Sequence, residues 1–334
     1  RSFAHYICNI NESKDSGIEK INSINETEDG TTPVGPYPEH WIDKWHEPEG
    51  GNDLYGNRPQ CGVTPLQAEM NGLSYKSGYE TAWDDASNEN LVPELVHAAR
   101  ALEMEYFHKL GVYEKVSREH QVKTGGKIIG VRWVDVNKGD ALDVNYRSRL
   151  VGREFNIGRD DALYASTPPL EALRLIVSYA ATQPSDGERR TIMNNDVRRA
   201  YFYAKAVRPV YVKLPAEDTE SGDTGKCGKL KMSMYGTRDA ALNWSLEYAE
   251  TLRAGGYVQG KSNPCLFHNV KLGVSVMVHC DDFVAVGPRQ HLVETRSTLE
   301  SKYKLKVETL GNEKGDSPEL RILNKIVRAT PIGI

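Results

Sequence analysis

The chain has 334 residues, 39% of them hydrophobic, with a mean hydropathy of −0.55 and a formal net charge of −4. This length supports one large or two medium domains with real cores and excludes a small stapled scaffold; no run approaches the ~20 apolar residues of a membrane-spanning helix, so no membrane partner is expected. The five cysteines (Cys8, Cys61, Cys227, Cys265 and Cys280) are odd in number and lack framework spacing, which predicts free thiols and an intracellular, cytoplasmic setting.

Charge divides the chain. Residues 1–90 carry 6 Lys+Arg against 16 Asp+Glu, whereas residues 91–334 carry 36 against 30. The acidic part is rich in Asn, Gly, Glu, Ser and Pro and shows no sustained periodicity, so it is expected to be a poorly ordered, linker-like extension. Trp41 and Trp45, four apart, predict no more than a transient helical turn there. An opening Arg1 and an ending at Ile334 just past a strand-like run suggest a piece of a longer protein.

From Leu91 the patterns sharpen. Leu95, Ala98, Ala99, Leu102, Tyr106 and Leu110 recur at three- and four-residue intervals, predicting an amphipathic helix closed by Gly111. Ile128–Val134 and Val144–Val151 flank a polar turn at Asn137–Asp140 and predict a hairpin. Its second strand carries Arg147, Arg149 and Arg153 on one face, either a solvated surface or a set of forks for phosphate oxygens. A second helix follows Thr167-Pro168, with Leu170, Leu173, Ile176, Val177 and Ala180 buried, and a turn at Pro184–Gly187 leads into a short strand ending at Asp196. Val210–Leu214 predicts another strand. A third helix, about Arg238 to Arg253, buries Ala241, Trp244, Tyr248 and Leu252 and stops at Gly255-Gly256.

The last strong feature is Asp281-Asp282 between two apolar strands, Val274–His279 and Phe283–Gly287. Most such pairs are simple turns, since Asp tolerates turn conformations. Adjacent carboxylates also attract a hard divalent cation, and Asp196 at the end of another strand can complete an oxygen cage. Zinc is a poor fit, because His279 and Cys280 are successive strand residues that face opposite ways and do not converge with Cys265 and His268.

Strand-Asp196, a helix, then strand-Asp281-Asp282-strand is the order of a polymerase palm. From about residue 111 to 327 the sequence resembles the reverse transcriptase of copia-type LTR retrotransposon Pol polyproteins. The resemblance rests on Trp133-Val134 with Tyr146–Arg153, on Arg174-Leu175-Ile176, and on Asp196-Val197-Arg198-Arg199-Ala200-Tyr201 followed by Val210–Pro215. It continues through Met234-Tyr235-Gly236-Thr237-Arg238-Asp239 with Trp244, Cys265-Leu266-Phe267, and His279-Cys280-Asp281-Asp282. Each match is modest, and their common order is specific.

The resemblance implies an α+β fold with a fingers-like region over 91–190 and a palm-like region over 191–330, ending before any thumb or RNase H region. It implies an RNA-directed DNA polymerase with Asp196, Asp281 and Asp282 as catalytic metal ligands for two Mg²⁺, Mn²⁺ being the alternative. Arg147, Arg149, Arg153, Tyr201 and Arg238 would bind the nucleotide, with Tyr201 beneath its sugar. The implied partners are an RNA or DNA template with primer, deoxynucleoside triphosphates and other Pol polyprotein domains. Two departures stand out: His279 replaces the family's Tyr, and Asp239 replaces a Gln, where its charge is expected to repel nucleotide or primer-template. These favour the other reading, a degenerate nucleic-acid-binding or structural remnant.

Overall fold

The computed structural model describes residues 82–140, 143–155, 163–182 and 189–330. Trp41, Trp45, almost all of the acidic extension and the turn at Pro184–Gly187 lie outside them. Described structure begins inside the segment expected to be linker-like. Strands β1 (Ala82–Trp83) and β2 (Asn90–Leu91) form a small antiparallel hairpin, and Ala82 and Leu91 pack with Leu95, Val96 and Ala99 of the next helix.

That helix, α1 (Pro93–Lys109), has proline in its first turn, where a missing N–H costs nothing. It ends at Gly111, whose φ of 59° suits glycine and lets the Val112 amide donate to the Phe107 carbonyl at 3.0 Å. Its buried face differs from the expected one: Glu103, Met104 and Phe107 are buried, while Tyr106 and Leu110 are half-buried. Next come β3 (Tyr113–Ser117), α2 (Arg118–Thr124), β4 (Lys127–Asn137) and β5 (Tyr146–Arg153). The last two pair antiparallel from Gly130↔Arg153 to Asn137↔Tyr146, as the hairpin pattern predicted.

Helix α3 (Leu170–Ala181) leads to β6 (Arg190–Val197) and a 3-10 turn at Ala200–Tyr203. After β7 (Val210–Val212), β8 (Lys226–Leu230) and α4 (Ala240–Ala254), the chain forms β9 (Val258–Gln259), β10 (Leu266–Asn269), β11 (Val274–His279) and β12 (Asp282–Pro288). It closes with α5 (Arg289–Glu300), β13 (Leu305–Thr309) and the hairpin β14 (Glu319–Ile322) with β15 (Lys325–Arg328).

Two sheets organise these elements. The larger is antiparallel, in the order β13-β6-β12-β11-β10-β9. One face carries Ile192, Met277, Val284 and Val286 against α3 and the β14–β15 hairpin; the other carries Met193, Val197, Phe283 and Ala285 against α4 and α5. Strands covered on both faces read as continuous apolar runs, which is why Val274–Val278 and Phe283–Val286 were legible. The smaller sheet runs β3-β8-β7-β4-β5, with β4 and β7 parallel, and packs on α1 through Met104 and Phe107.

A single cut at residue 190 does not separate the sheets. Helix α3, from before that point, covers the larger one, while β7 and β8, from after it, belong to the smaller. The chain crosses between them repeatedly, so regions continuous in sequence are interleaved in space.

Candidate active site

Strand register places the acidic residues. Asp196 lies directly across from Asp282 on one side and from Lys306 on the other, so all three project from one face of the larger sheet. Asp281 occupies the two-residue connection between β11 and β12, next to Cys280 with its φ of 55°. A non-glycine residue in the left-handed region is strained by about 1 kcal/mol and persists only where its surroundings enforce it. Two bonds do so here. The buried Trp244 indole donates to the Cys280 carbonyl at 2.6 Å, and the Val197 amide donates to the Asp281 carbonyl at 2.8 Å. Trp244, on α4, thus holds the acidic turn from beneath, while the end of β6 ties it to the strand that carries Asp196.

Asp196 and Asp281 line one pocket with Arg147, Val197, Arg198, Arg199 and Lys306. Of the residues singled out in the sequence, this brings together Asp196, Asp281 and Arg147. Asp282 is not in the pocket lining; its carboxylate accepts a hydrogen bond from the Asn194 amide at 3.2 Å. Arg153 is exposed, its guanidinium carbon 5.5 Å from the centre of the Phe155 ring. Arg149 lies over Tyr235 at 4.8 Å, and Tyr201 meets the same ring at 4.6 Å. Burial pushes the Tyr235 phenol up to about 12, against the opposing pull of Arg149, so it is a neutral platform at physiological pH. The Arg238 side chain is outside the pocket lining too, and its backbone N–H donates to Glu154 at 2.9 Å.

Three pocket cations were not assigned from the sequence. Arg198 and Arg199 follow Asp196 within its own motif, and Lys306 comes from the strand paired with Asp196. The first two were in view as part of a matched motif; the third needed a strand pairing that one sequence does not reveal.

Asp239 corrects an expectation. It is 5% exposed, accepts from Arg208 at 2.7 Å and from Asn243 at 3.0 Å, and shares Arg208 with Glu154. Hydrogen bonding to Glu154 raises the Arg208 pKa despite its burial, and Asp239 adds to the rise, so the guanidinium stays charged. Arg208 is one cation for two carboxylates, so the three groups keep one negative charge, but the Asp239 carboxylate is buried and turned toward Arg208 and Asn243.

A hard divalent cation fits part of this arrangement. Asp196 and Asp281 supply oxygen ligands in a shared pocket, and Mg²⁺ typically uses one or two carboxylates and takes its other ligands from phosphates and water. Among the described residues no group of three or more His, Cys, Asp and Glu is arranged to hold a metal ion. At Cys280, burial and then the charges of Asp281 and Asp282 push the thiol pKa well up.

The sequence model of the family described as reverse transcriptase (RNA-dependent DNA polymerase) matches residues 112–314, within the span over which the motifs suggested a resemblance. The chain is 26% identical over 225 residues to a retrovirus-related Pol polyprotein from transposon TNT 1-94 of Nicotiana tabacum. That alignment covers 63% of this chain and 16% of the polyprotein. It is also 26% identical over 188 residues to the Pol polyprotein from transposon RE1 of Arabidopsis thaliana, covering 54% of this chain and 12% of that protein. The chain therefore spans under a fifth of either relative. Among solved structures, an apo telomerase from Candida Tropicalis truncated from its C-terminal domain aligns at a TM-score of 0.42 and 8% identity, over 75% of this chain and 62% of that one. With more than half of its length matched by the family model, the chain belongs to the reverse transcriptase (RNA-dependent DNA polymerase) family.

Proposed function

We propose that this chain adds deoxynucleotides to a primer annealed to an RNA or DNA template, with the larger sheet as palm and the smaller as fingers. The observation that supports the reading most is the make-up of one pocket: Asp196 and Asp281 beside Arg147, Arg198, Arg199 and Lys306. Carboxylates gather cations and cations gather phosphate, and a polymerase needs both within one phosphate's reach. When bound, two Mg²⁺ would lower the pKa of the primer 3′-hydroxyl and stabilise charge on the transferring phosphate.

Asp196 and Asp281 would hold those ions, and Asp282, held by Asn194, would support the turn that presents Asp281. Arg147 and its neighbouring cations would bind the triphosphate and stabilise the charge that develops on the departing pyrophosphate. The rate gain expected of the protein lies in positioning and fixed charge. Tyr201 would exclude a 2′-hydroxyl, for which its place against Tyr235 gives a rigid backing. The pairing of Asp239 with Arg208 weighs against the remnant reading.

Primer extension with Mg²⁺ tests the reading. Asp281→Asn should reduce extension by about 10³-fold while melting stays near wild type, because charge is removed and shape is kept. Full activity in that variant ends the two-metal mechanism. Tyr201→Val should raise ribonucleotide incorporation relative to deoxynucleotide; an unchanged ratio with lowered stability makes the ring a plain core residue.

A further inference from the structure

Helix α1 precedes the region matched by the family model, yet it reaches the pocket wall through one carboxylate. Glu103 is 1% exposed, which is unusual for a glutamate unless it is paired. Its Oε2 accepts from Arg199 Nε at 2.7 Å, and Arg149 Nη1 lies 4.0 Å from its Oε1. Arg199 is fixed on a second side by Tyr106, whose ring centre lies 3.6 Å from the guanidinium carbon. Its backbone is the left-handed residue, φ 55°, that ends the run from Asp196 and starts the 3-10 turn to Tyr201. Arg149 lies over Tyr235, and Tyr235 backs Tyr201.

We infer that Glu103 is a positioning residue for the nucleotide pocket: it seats Arg199 in the pocket wall, holds the strained turn between Asp196 and Tyr201, and restrains Arg149 beside Tyr235. The ligand served is the triphosphate of an incoming nucleotide, so the inference rests on the reading of the pocket given above. The physical case is that a guanidinium on a long, rotatable stem binds phosphate best when its direction is fixed beforehand. A buried carboxylate on a neighbouring helix fixes it, and a left-handed arginine needs such a tether to stay in place. Glu103 touches none of the reacting atoms. Its effect should fall on nucleotide affinity more than on the chemical step.

The test is titration of the full chain with dTTP and, separately, with tripolyphosphate, alongside thermal melting. Wild type should bind both, and Arg147→Gln should weaken binding as a control on the pocket itself. Glu103→Gln removes the charge and should weaken binding about tenfold, the scale of one charge-assisted hydrogen bond. Glu103→Asp keeps the charge but sets it back from Arg199; affinity should stay at least about threefold weak whether or not the melting temperature recovers. If Arg147→Gln weakens binding and both Glu103 variants bind like wild type, whatever their melting temperatures, the positioning role is overturned and the pocket reading survives. The positioning role is likewise overturned if Glu103→Asp restores stability and affinity together. Absence of binding by wild type would overturn the pocket reading, and this inference with it.

Discussion

The larger sheet is packed by rings and aliphatic chains. Trp244, Tyr248, Phe267, Phe283 and Tyr303 meet edge to face at centroid distances between 5.1 and 6.1 Å on one side, and α3 covers the other. Around the smaller sheet the connections are fastened by charge. Arg100 bridges Asp135 and Glu217, Lys115 bridges Asp218 and Asp223, and Arg208 bridges Glu154 and Asp239. Apolar burial hardly responds to salt or pH, whereas ion pairs respond to both. The candidate pocket takes Asp196 and Asp281 from the first kind of structure and Arg147 from the second. Its carboxylates are set by shape, and the strand bearing Arg147 belongs to a part of the molecule that solution conditions can loosen.

The largest effect that can test this contrast is Trp244→Ala. It empties the centre of the aromatic cluster and removes the donor to Cys280, so denaturant unfolding should show a loss of about 3–5 kcal/mol. That loss should be the same at low and high salt; a clear salt dependence would break the comparison. Arg208→Met comes next, leaving Glu154 and Asp239 without their shared cation. With Arg208 a third exposed, the expected cost is about 2–3 kcal/mol, read by the same method. Asp239→Gln should cost about 1 kcal/mol and leave nucleotide affinity unimproved; tighter binding would revive the repulsion first expected of that carboxylate.

Acid sharpens the contrast further. Burial pushes the Glu154 carboxyl up, but the hydrogen bonds from Arg208 and the Arg238 amide outweigh it and hold the group below the usual range. A carboxyl depressed on folding stabilises the protein above its unfolded pKa of about 4.3, and the contribution is lost as pH falls through the lower folded value. Unfolding followed from pH 6 to 3 should therefore show an acid limb that is shallower in Arg208→Met. The larger sheet has a different signature at milder pH. His268 is buried and bonded to Ser275, and burial lowers its pKa, so the unfolded chain protonates first and stability declines as pH drops below about 6.5. Burial lowers the His279 pKa too, so His268→Gln should remove part of that decline and leave the rest. Smallest of all is salt: amide exchange in β7 and β8 should quicken by the equivalent of less than about 1 kcal/mol between 0.05 and 0.5 M NaCl, with β11 and β12 unmoved.

Much of the larger sheet was legible because its strands are covered on both faces and its acids interrupt apolar runs. Asp196 and Asp281 could be singled out for that reason, as could Trp244 from the helical spacing of α4 and the β4–β5 hairpin from its polar turn. Glu103 could not. A charged residue in a helix reads as surface, and only its partners Arg149 and Arg199, 46 and 96 residues onward, reveal that it is buried. The ion pair of Asp239 was hidden for the same reason, since Arg208 comes from another part of the chain. Lys306 depended on the pairing of β13 with β6 across more than a hundred residues. Short-range pattern reports which residues face inward; charge pairing across the fold decides what those residues do.

The turn after Asp196 places Ala200 in the core of the larger sheet and Phe202 in the core of the smaller, with Tyr201 between them. Were two plates joined that closely to turn against each other, this turn would act as the pin of a door. Near the pin the angle changes and the distance hardly does, while at the outer edge the same swing becomes travel. Tyr201 would stand at that pin. A probe on the tyrosine ring would then register a rotation and a probe at the outer edge of either sheet a displacement, two gauges reading one motion from its axis and its rim.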